Sequence, residues 1–404
     1  MKKDGLNLRD ELVITSTYPS SILEDFYKYL NYITSHKLKL TRASGYFTKK
    51  DLQAICAYME DGAAKTDPKL TQTGYPLINL FYHLSITLDF IRVNRTPSTA
   101  KALIQKGRIN QFAALTKTEQ YVTLLQAFWT EIDWEVLQGE QWGRVPYIPV
   151  LLGELEEVPA EEPLEIPMHG ELKSLLRGYG QFFHHFSYFG FWRFEEDEEK
   201  SKGSPGRPKL TVAKMITLTH FFKKIEEALL DAWDPAGEEP LEQSFELLSS
   251  WFELPDQEDL SEAEEEEIPS LISLLKPLFP AGELETILEK PQPIYVKGAY
   301  RFAVNMEGGD CKVMELSGSD TLEQLHDAIH EEFDLYDDHL YAFYMDGKKF
   351  GKHAYNSPMD VQGPYVDEVR IGELDLQNGQ RFLYLYDFGE EREFEVEVVG
   401  VPGE

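Results

Sequence analysis

Two histidines four residues apart, His326 and His330, lie in a stretch whose spacing predicts a helix. Their imidazoles would project from one face and could share a divalent metal or a phosphate. Just beyond the helix come Asp337, Asp338 and His339, and farther on the run YDFGEE supplies Asp387, Glu390 and Glu391. Imidazole with carboxylate suits Mn, Zn or Mg, and such a site would support metal-assisted chemistry on phosphate esters. Each residue also has a structural reading, which we prefer. His326 would sit beside the core, Asp337 and Asp338 would end the helix, and Asp387 would shape the turn before Gly389.

Other candidates are weaker. His184 and His185 are adjacent, so on a helix they point about 100° apart and cannot easily serve one metal; an aromatic core explains them better. Lys200, Lys202, Arg207 and Lys209 sit among Gly, Ser and Pro in a turn-rich segment that could touch a nucleic-acid backbone, although EEDEE precedes it and offsets its field. Lys49, Lys50, Arg92 and Arg95 complete the basic set for nucleic acid. No Walker loop, GxGxxG strand-turn-helix, GxSxG elbow, HExxH helix or paired CxxC occurs, so no cofactor is expected beyond a possible divalent cation.

The elements that must position these residues fall into three parts. At 404 residues, with 42% hydrophobic and 13% aromatic residues, the chain can bury two or three cores. The net charge of −32 is regional: residues 1–135 carry 17 Lys and Arg against 14 Asp and Glu, and residues 136–404 carry 22 against 57. A phosphate backbone would be repelled by the later part and tolerated by the first. There is no run of about 18 apolar residues and no recognisable secretory signal. With only Cys56 and Cys311, a cytoplasmic protein is expected, and no membrane partner.

Acidic, proline-containing stretches punctuate the chain. We read residues 1–150 as a helical winged-helix-like domain and 151–168 as an acidic linker. Residues 169–290 form a second such domain with an acidic loop at 254–269, and 291–404 form an α+β domain. In the first domain, Ile22, Phe26, Tyr29, Leu30 and Ile33 recur at helical spacing after Ser20 and Ser21, which can cap. Thr48 precedes a second helix, and Pro76 sits in the first turn of a third. KMITLTHFF and QFAALTKTEQY read as an internal repeat, each a short strand passing through Leu-Thr into a helix.

In the last domain AYRFAVNM and CKVMELSG read as strands joined by a GGD turn. Asp320 or Thr321 then caps a helix whose Leu322, Leu325, Ile329 and Phe333 form its buried stripe. HLYAFYMDG, a polar loop holding HAYNSPMD, and the strands RFLYLYDF and EFEVEVVG follow. The expected class is α+β and multidomain, with a mixed C-terminal sheet packed on one main helix.

TLEQLHDAIHEEF, DDHLYAF and YDFGEE, in this order, resemble the plasmid pRiA open-reading-frame-three-like family over about residues 294–400. The resemblance implies the fold of that domain, a sheet that could bring YDFGEE near Asp337 to His339, and a bacterial, mobile-element-associated setting. Where the family has tryptophan and arginines in its second strand this chain has Cys311, Lys312 and Val313, and Arg392 and Phe394 replace a later tryptophan and histidine. The function expected is a non-enzymatic binding or interaction protein with a protein or nucleic-acid partner. The alternative is a metal-binding protein or metal-assisted enzyme built on the C-terminal histidines and carboxylates.

Overall fold

The computed structural model describes residues 11–59, 69–95, 100–138, 148–166, 182–233, 269–289 and 295–403. Residues 43, 198, 200, 202–210, 307–310, 336–338, 346, 348, 352 and 361–362 are excepted, and of 94, 95 and 135 only the backbone is described. The chain divides into two compact units. The first takes Met1–Leu38, Phe47–Arg92 and Ile104–Lys290, the second Lys39–Tyr46, Val93–Leu103 and Pro291–Glu404. Among the described residues no helix is long and apolar enough to cross a membrane.

The N-terminal part runs α1 (Ile22–Ser35), β1 (Lys39–Leu40), α2 (Lys49–Met59), α3 (Pro76–Thr87), β2 (Ile91–Arg95) and β3 (Ala100–Ile104), and its three strands pair in the order β1-β3-β2. Helix α1 buries the apolar stripe that its sequence spells, Phe26, Tyr29, Leu30 and Ile33 among it. Its start is not capped by a serine in the usual way, because Ser21 Oγ donates to Asp25 Oδ2 at 2.7 Å. Thr48 does serve α2, accepting from the N–H of Asp51 at 3.3 Å.

Next come α4 (Lys106–Ala114), α5 (Lys117–Gln126), a π-helical turn over Ala127–Glu131, α6 (Trp134–Gln138) and α7 (Ile148–Glu156). A second strand set follows: β4 (Pro163–Glu165), α8 (Phe182–Tyr188), β5 (Trp192–Glu196) and β6 (Ala213–Leu218), paired as β4-β6-β5, then α9 (His220–Asp231) and α10 (Leu271–Leu275). Helices α3 and α8 pack on each other. The rings around them stack: Phe128 lies on Phe189 at 4.8 Å and on Trp134 at 5.0 Å, and Trp134 on Phe182 at 4.6 Å.

The second unit holds a six-stranded sheet in the order β10-β9-β11-β12-β7-β8. Its strands are β7 (Ala299–Met306), β8 (Lys312–Ser317), β9 (Tyr341–Tyr344), β10 (Ala354–Asn356), β11 (Arg381–Tyr386) and β12 (Arg392–Gly400). Between β8 and β9 runs α11 (Leu322–Glu332), opened by a capping box in which Thr321 accepts from the N–H of Gln324 and the Gln324 side chain accepts from Thr321. Leu322, Leu325 and Ile329 are buried in one cluster with Phe302, Phe343, Tyr384, Phe394 and Val396 of the sheet. Backbone crowding fixes Gly372 nearby. A Cβ there would stand 2.6 Å from the carbonyl of Val296 and 2.9 Å from that of Gly318, so only glycine fits.

Several expectations change. The C-terminal sheet is not mixed, since each of its strand pairings is antiparallel. Helix α11 carries the chain from the β8 edge to β9, and the β11–β12 hairpin fills the gap with antiparallel neighbours. QFAALTKTEQY holds no strand: it is the end of α4, the cap Thr116 and the start of α5, whereas the strand lies earlier, in AKALI. Its likeness to KMITLTHFF is confined to a threonine that N-caps the next helix, Thr116 in one and Thr219 in the other. Residues 151–168, expected as a linker, contain the end of α7 and strand β4. Leu151, Leu152 and Leu155 bury one face of the helix despite the acids on the other. HAYNSPMD, expected as a loop, supplies β10. The GGD turn and the acidic loop 254–268 lie outside the described residues.

Because Leu325 is fully buried among sheet side chains, Leu325→Ala is expected to lower the unfolding free energy by ~2–5 kcal/mol, read as a reduced urea midpoint. A loss below ~1 kcal/mol would place the helix stripe elsewhere.

Candidate functional site

The chemistry-bearing residues of the C-terminal unit gather where α11 crosses β9 and β11. His326 and His330 project from consecutive turns, with ring centroids 4.3 Å apart. The ring of His326 lies flat on Tyr341 at 3.6 Å and 7°, and its Nδ1 is hydrogen bonded to the Tyr384 hydroxyl at 2.7 Å. His330 meets Tyr386 edge-on at 4.8 Å, and His339 meets the same tyrosine at 5.7 Å. Three histidines therefore face three tyrosines of the sheet.

Burial governs the protonation of this group. It pulls His326 down to about 3, with the neighbouring His330 adding to the effect. A neutral His326 whose proton is on Nε2 accepts at Nδ1, and the phenol of Tyr384 donates. Burial also raises Tyr384 and Tyr341 well above the usual phenol range, and Glu323, Asp327 and Asp367 near Tyr341 push in the same direction. The Tyr341 and Tyr384 hydroxyls therefore stay protonated near neutrality.

The expected carboxylates do other work. Asp387, with φ of 55°, accepts from the N–H of Gly389 at 3.0 Å and of Glu390 at 3.2 Å, forming the turn between β11 and β12. Its other oxygen stands 3.7 Å from His339 Nε2. Glu390 is taken by Arg392 at 2.5 Å, and Glu391 by Lys349 at 2.5 Å. Asp337 and Asp338 lie outside the described residues. Among the described residues no group of three or more His, Cys, Asp or Glu is placed to hold a metal ion. The structure thus brings His326, His330, His339 and Asp387 into one neighbourhood, and Glu390 faces Arg392 instead.

Sequence reasoning missed Tyr341, Tyr384 and Tyr386, and with them Glu323, Asp327 and Asp367. A signal for two of the tyrosines was present: in RFLYLYDF, Tyr384 and Tyr386 alternate onto the face that α11 covers. The Tyr384 hydroxyl meets His326 only once α11 lies over the sheet.

The basic candidates do not form a patch among the described residues. Lys49 donates to the carbonyl of Lys69 at 2.6 Å, Lys50 is exposed beside it, and Arg92 forks onto Asp89 at 2.6 and 3.0 Å. Lys202, Arg207, Lys209 and the Arg95 side chain lie outside the described residues. His184 is hydrogen bonded to Thr211 at 2.8 Å, whereas His185 is fully buried against Phe128 and Phe182, so the adjacent rings serve different neighbours. Burial pulls His185 down to about 3 and His83 of α3 to about 4.

Histidines held below their unfolded value of about 6.5 take up a proton on unfolding. Their stabilisation is complete above about pH 6.5 and falls as the pH drops toward about 3, by up to ~1.4 kcal/mol per pH unit for each group. His326→Phe is expected to make the pH dependence of urea stability shallower within that window, and an unchanged slope would mean that His326 is protonated in the fold.

No curated protein matches the chain. A solved structure described as a protein of unknown function, MM3350, from Methanosarcina mazei Go1, is 21% identical over 27% of this chain and 65% of that one, with a TM-score of 0.23. The segment that aligned here by its histidine helix and YDFGEE turn is the one with a family assignment: the C-terminal domain, over residues 299–402, matches the family described as plasmid pRiA4b ORF-3-like protein.

Proposed function

We propose that this chain is a non-enzymatic interaction protein that carries two winged-helix-like modules and whose partners are proteins. The reading rests on one observation. Each strand set has the order first-third-second, β1-β3-β2 and β4-β6-β5, and the helix before each hairpin, α3 and α8, is packed on the other. In winged-helix proteins that helix position is the one that enters a DNA groove. Here α3 buries Ile78, Asn79, Leu80, Phe81, Tyr82, Leu84 and Ser85, and α8 buries Phe182, Phe183, His185 and Phe186. Neither PLINLFYHLSIT nor FFHHFSY contains a lysine or arginine. Helices without cations, already buried against each other, are poor readers of base edges. In the second set residues 167–181, between β4 and α8, lie outside the described residues.

The strong negative charge agrees with this partner class, because it opposes association with a polyanion and favours partners of complementary charge. The full chain is expected to show no salt-dependent retention of duplex DNA or RNA between about 50 and 200 mM salt, measured by fluorescence anisotropy. Binding that weakens several hundredfold across that range would sink the protein-partner reading in favour of nucleic acid.

The metal alternative is tested separately. Calorimetric titration of the full chain with Mn, Zn and Mg is expected to show no micromolar site, because Glu390 and Glu391 are engaged by Arg392 and Lys349 and the Asp387 side chain holds its own turn. A micromolar heat lost in His339→Ala would restore the metal reading.

A further inference from the structure

Helices α4 and α5 hold a stretch of this chain, residues 283–289, that turns at Glu283–Glu285 and is held mainly by its main chain. The carboxylate of Glu119 accepts from two successive backbone N–H groups, those of Glu285 at 3.2 Å and Thr286 at 3.1 Å. Thr123 Oγ1 accepts from the N–H of Leu288 at 3.1 Å, Thr116 Oγ1 donates to the carbonyl of Glu283 at 2.9 Å, and Arg108 donates to the carbonyl of Glu289 at 2.7 Å. Five backbone atoms are thus read by four side chains. In the same stretch Leu284 and Leu288 are 1% and 9% exposed.

These reading groups are themselves fixed. Glu119 is 6% exposed and its second oxygen accepts from the N–H of Thr116 at 2.9 Å, completing the capping box of α5. Thr123, 1% exposed, donates to the carbonyl of Glu119 at 2.7 Å. A preorganised surface that satisfies several backbone donors and acceptors of one segment is an arrangement by which a protein can bind a peptide.

We propose that the α4–α5 groove is a peptide-recognition site, filled within one chain by residues 283–289 and open to the same segment of a second copy, giving an arm-exchanged dimer. A second copy fits because it offers the identical main chain with leucines at the same spacing. The connection also permits it. Residues 234–268 join Trp233 of the preceding part to the described segment beginning at Pro269, and 35 residues span at most ~115 Å when extended. That segment has fourteen acidic residues and no lysine or arginine, so nothing in its charge draws it back to one copy in particular. A tether of this kind gives the chain's own arm an effective concentration of roughly millimolar, so the intramolecular form prevails until an arm or a groove is removed. The inference does not depend on the winged-helix-like reading of the modules.

The test uses two full-length variants. Leu284→Ser with Leu288→Ser disables the arm and leaves the groove, while Glu119→Ala disables the groove and leaves the arm. By light scattering, each alone is expected at the mass of one chain, and an equal mixture at about 100 µM is expected to yield a two-chain species. If Glu119→Ala loses helix by circular dichroism, Thr123→Val with Arg108→Ala takes its place, since neither change touches the capping box. A mixture that stays at one chain mass while both partners keep their helix content overturns the proposal. A labelled peptide of residues 279–289 is also expected to bind the arm-disabled variant at least tenfold more tightly than a peptide of the same composition in shuffled order, and equal binding of the two overturns it as well.

Discussion

A chain with 24 phenylalanines, 21 tyrosines and 6 tryptophans has to bury rings and still satisfy the polar tips of the tyrosines and tryptophans. That constraint organises both units. In the first, Tyr121 donates to the carbonyl of Phe189 at 2.6 Å, Trp129 to that of Leu229 at 2.8 Å, Trp134 to that of Phe128 at 2.6 Å and Trp192 to that of Phe183 at 3.0 Å. The carbonyls of Phe189, Leu229 and Phe128 lie in or just past the last turn of a helix, where carbonyls lack intrahelical partners, whereas that of Phe183 lies in the first turn of α8. In the second unit the corresponding bond is Tyr384 to His326. It ties α11 to the sheet across 58 positions of sequence.

The same constraint shapes what each unit can do. Helices α3 and α8 bury much of their surface in an aromatic core, and a net charge of −32 opposes approach to a phosphate backbone. In the C-terminal unit the histidines are committed to tyrosines and the carboxylates to backbone N–H groups or to Arg392 and Lys349. His326 and Tyr384 satisfy each other there and Asp387 satisfies its own turn, which is what a low-dielectric neighbourhood requires of groups brought into it. The polar contacts between α5 and residues 283–289 differ, because they are spent on the main chain of a segment far away in sequence.

The elements of the C-terminal domain were legible in the sequence because local rules agree there. Thr321 with Gln324 marks the helix start, Leu322, Leu325 and Ile329 mark its buried stripe, and alternation in RFLYLYDF and EFEVEVVG marks two strands. The turn-forming role of Asp387 was legible for the same reason: Asp two residues before Gly can satisfy its own backbone. AKALI was not, since its alanines and lysine have little strand preference and its pairing with β1 and β2 comes from distant residues. Helix α7 was hidden by the acids of GELEE, which occupy only its exposed face.

By itself, then, the sequence determined the periodic segments, the caps and the acidic character of the later chain, all of which depend on residues within a turn or two of one another. Tertiary structure alone decided that β12 returns between β7 and β11, that His326 bonds Tyr384 across 58 positions, and that α3 meets α8. It also decided that Glu119 receives the backbone of residues 285 and 286. Those outcomes follow from burial and hydrogen-bond satisfaction summed over the whole core, and a hydroxyl or carboxylate finds its partner only after the elements have packed.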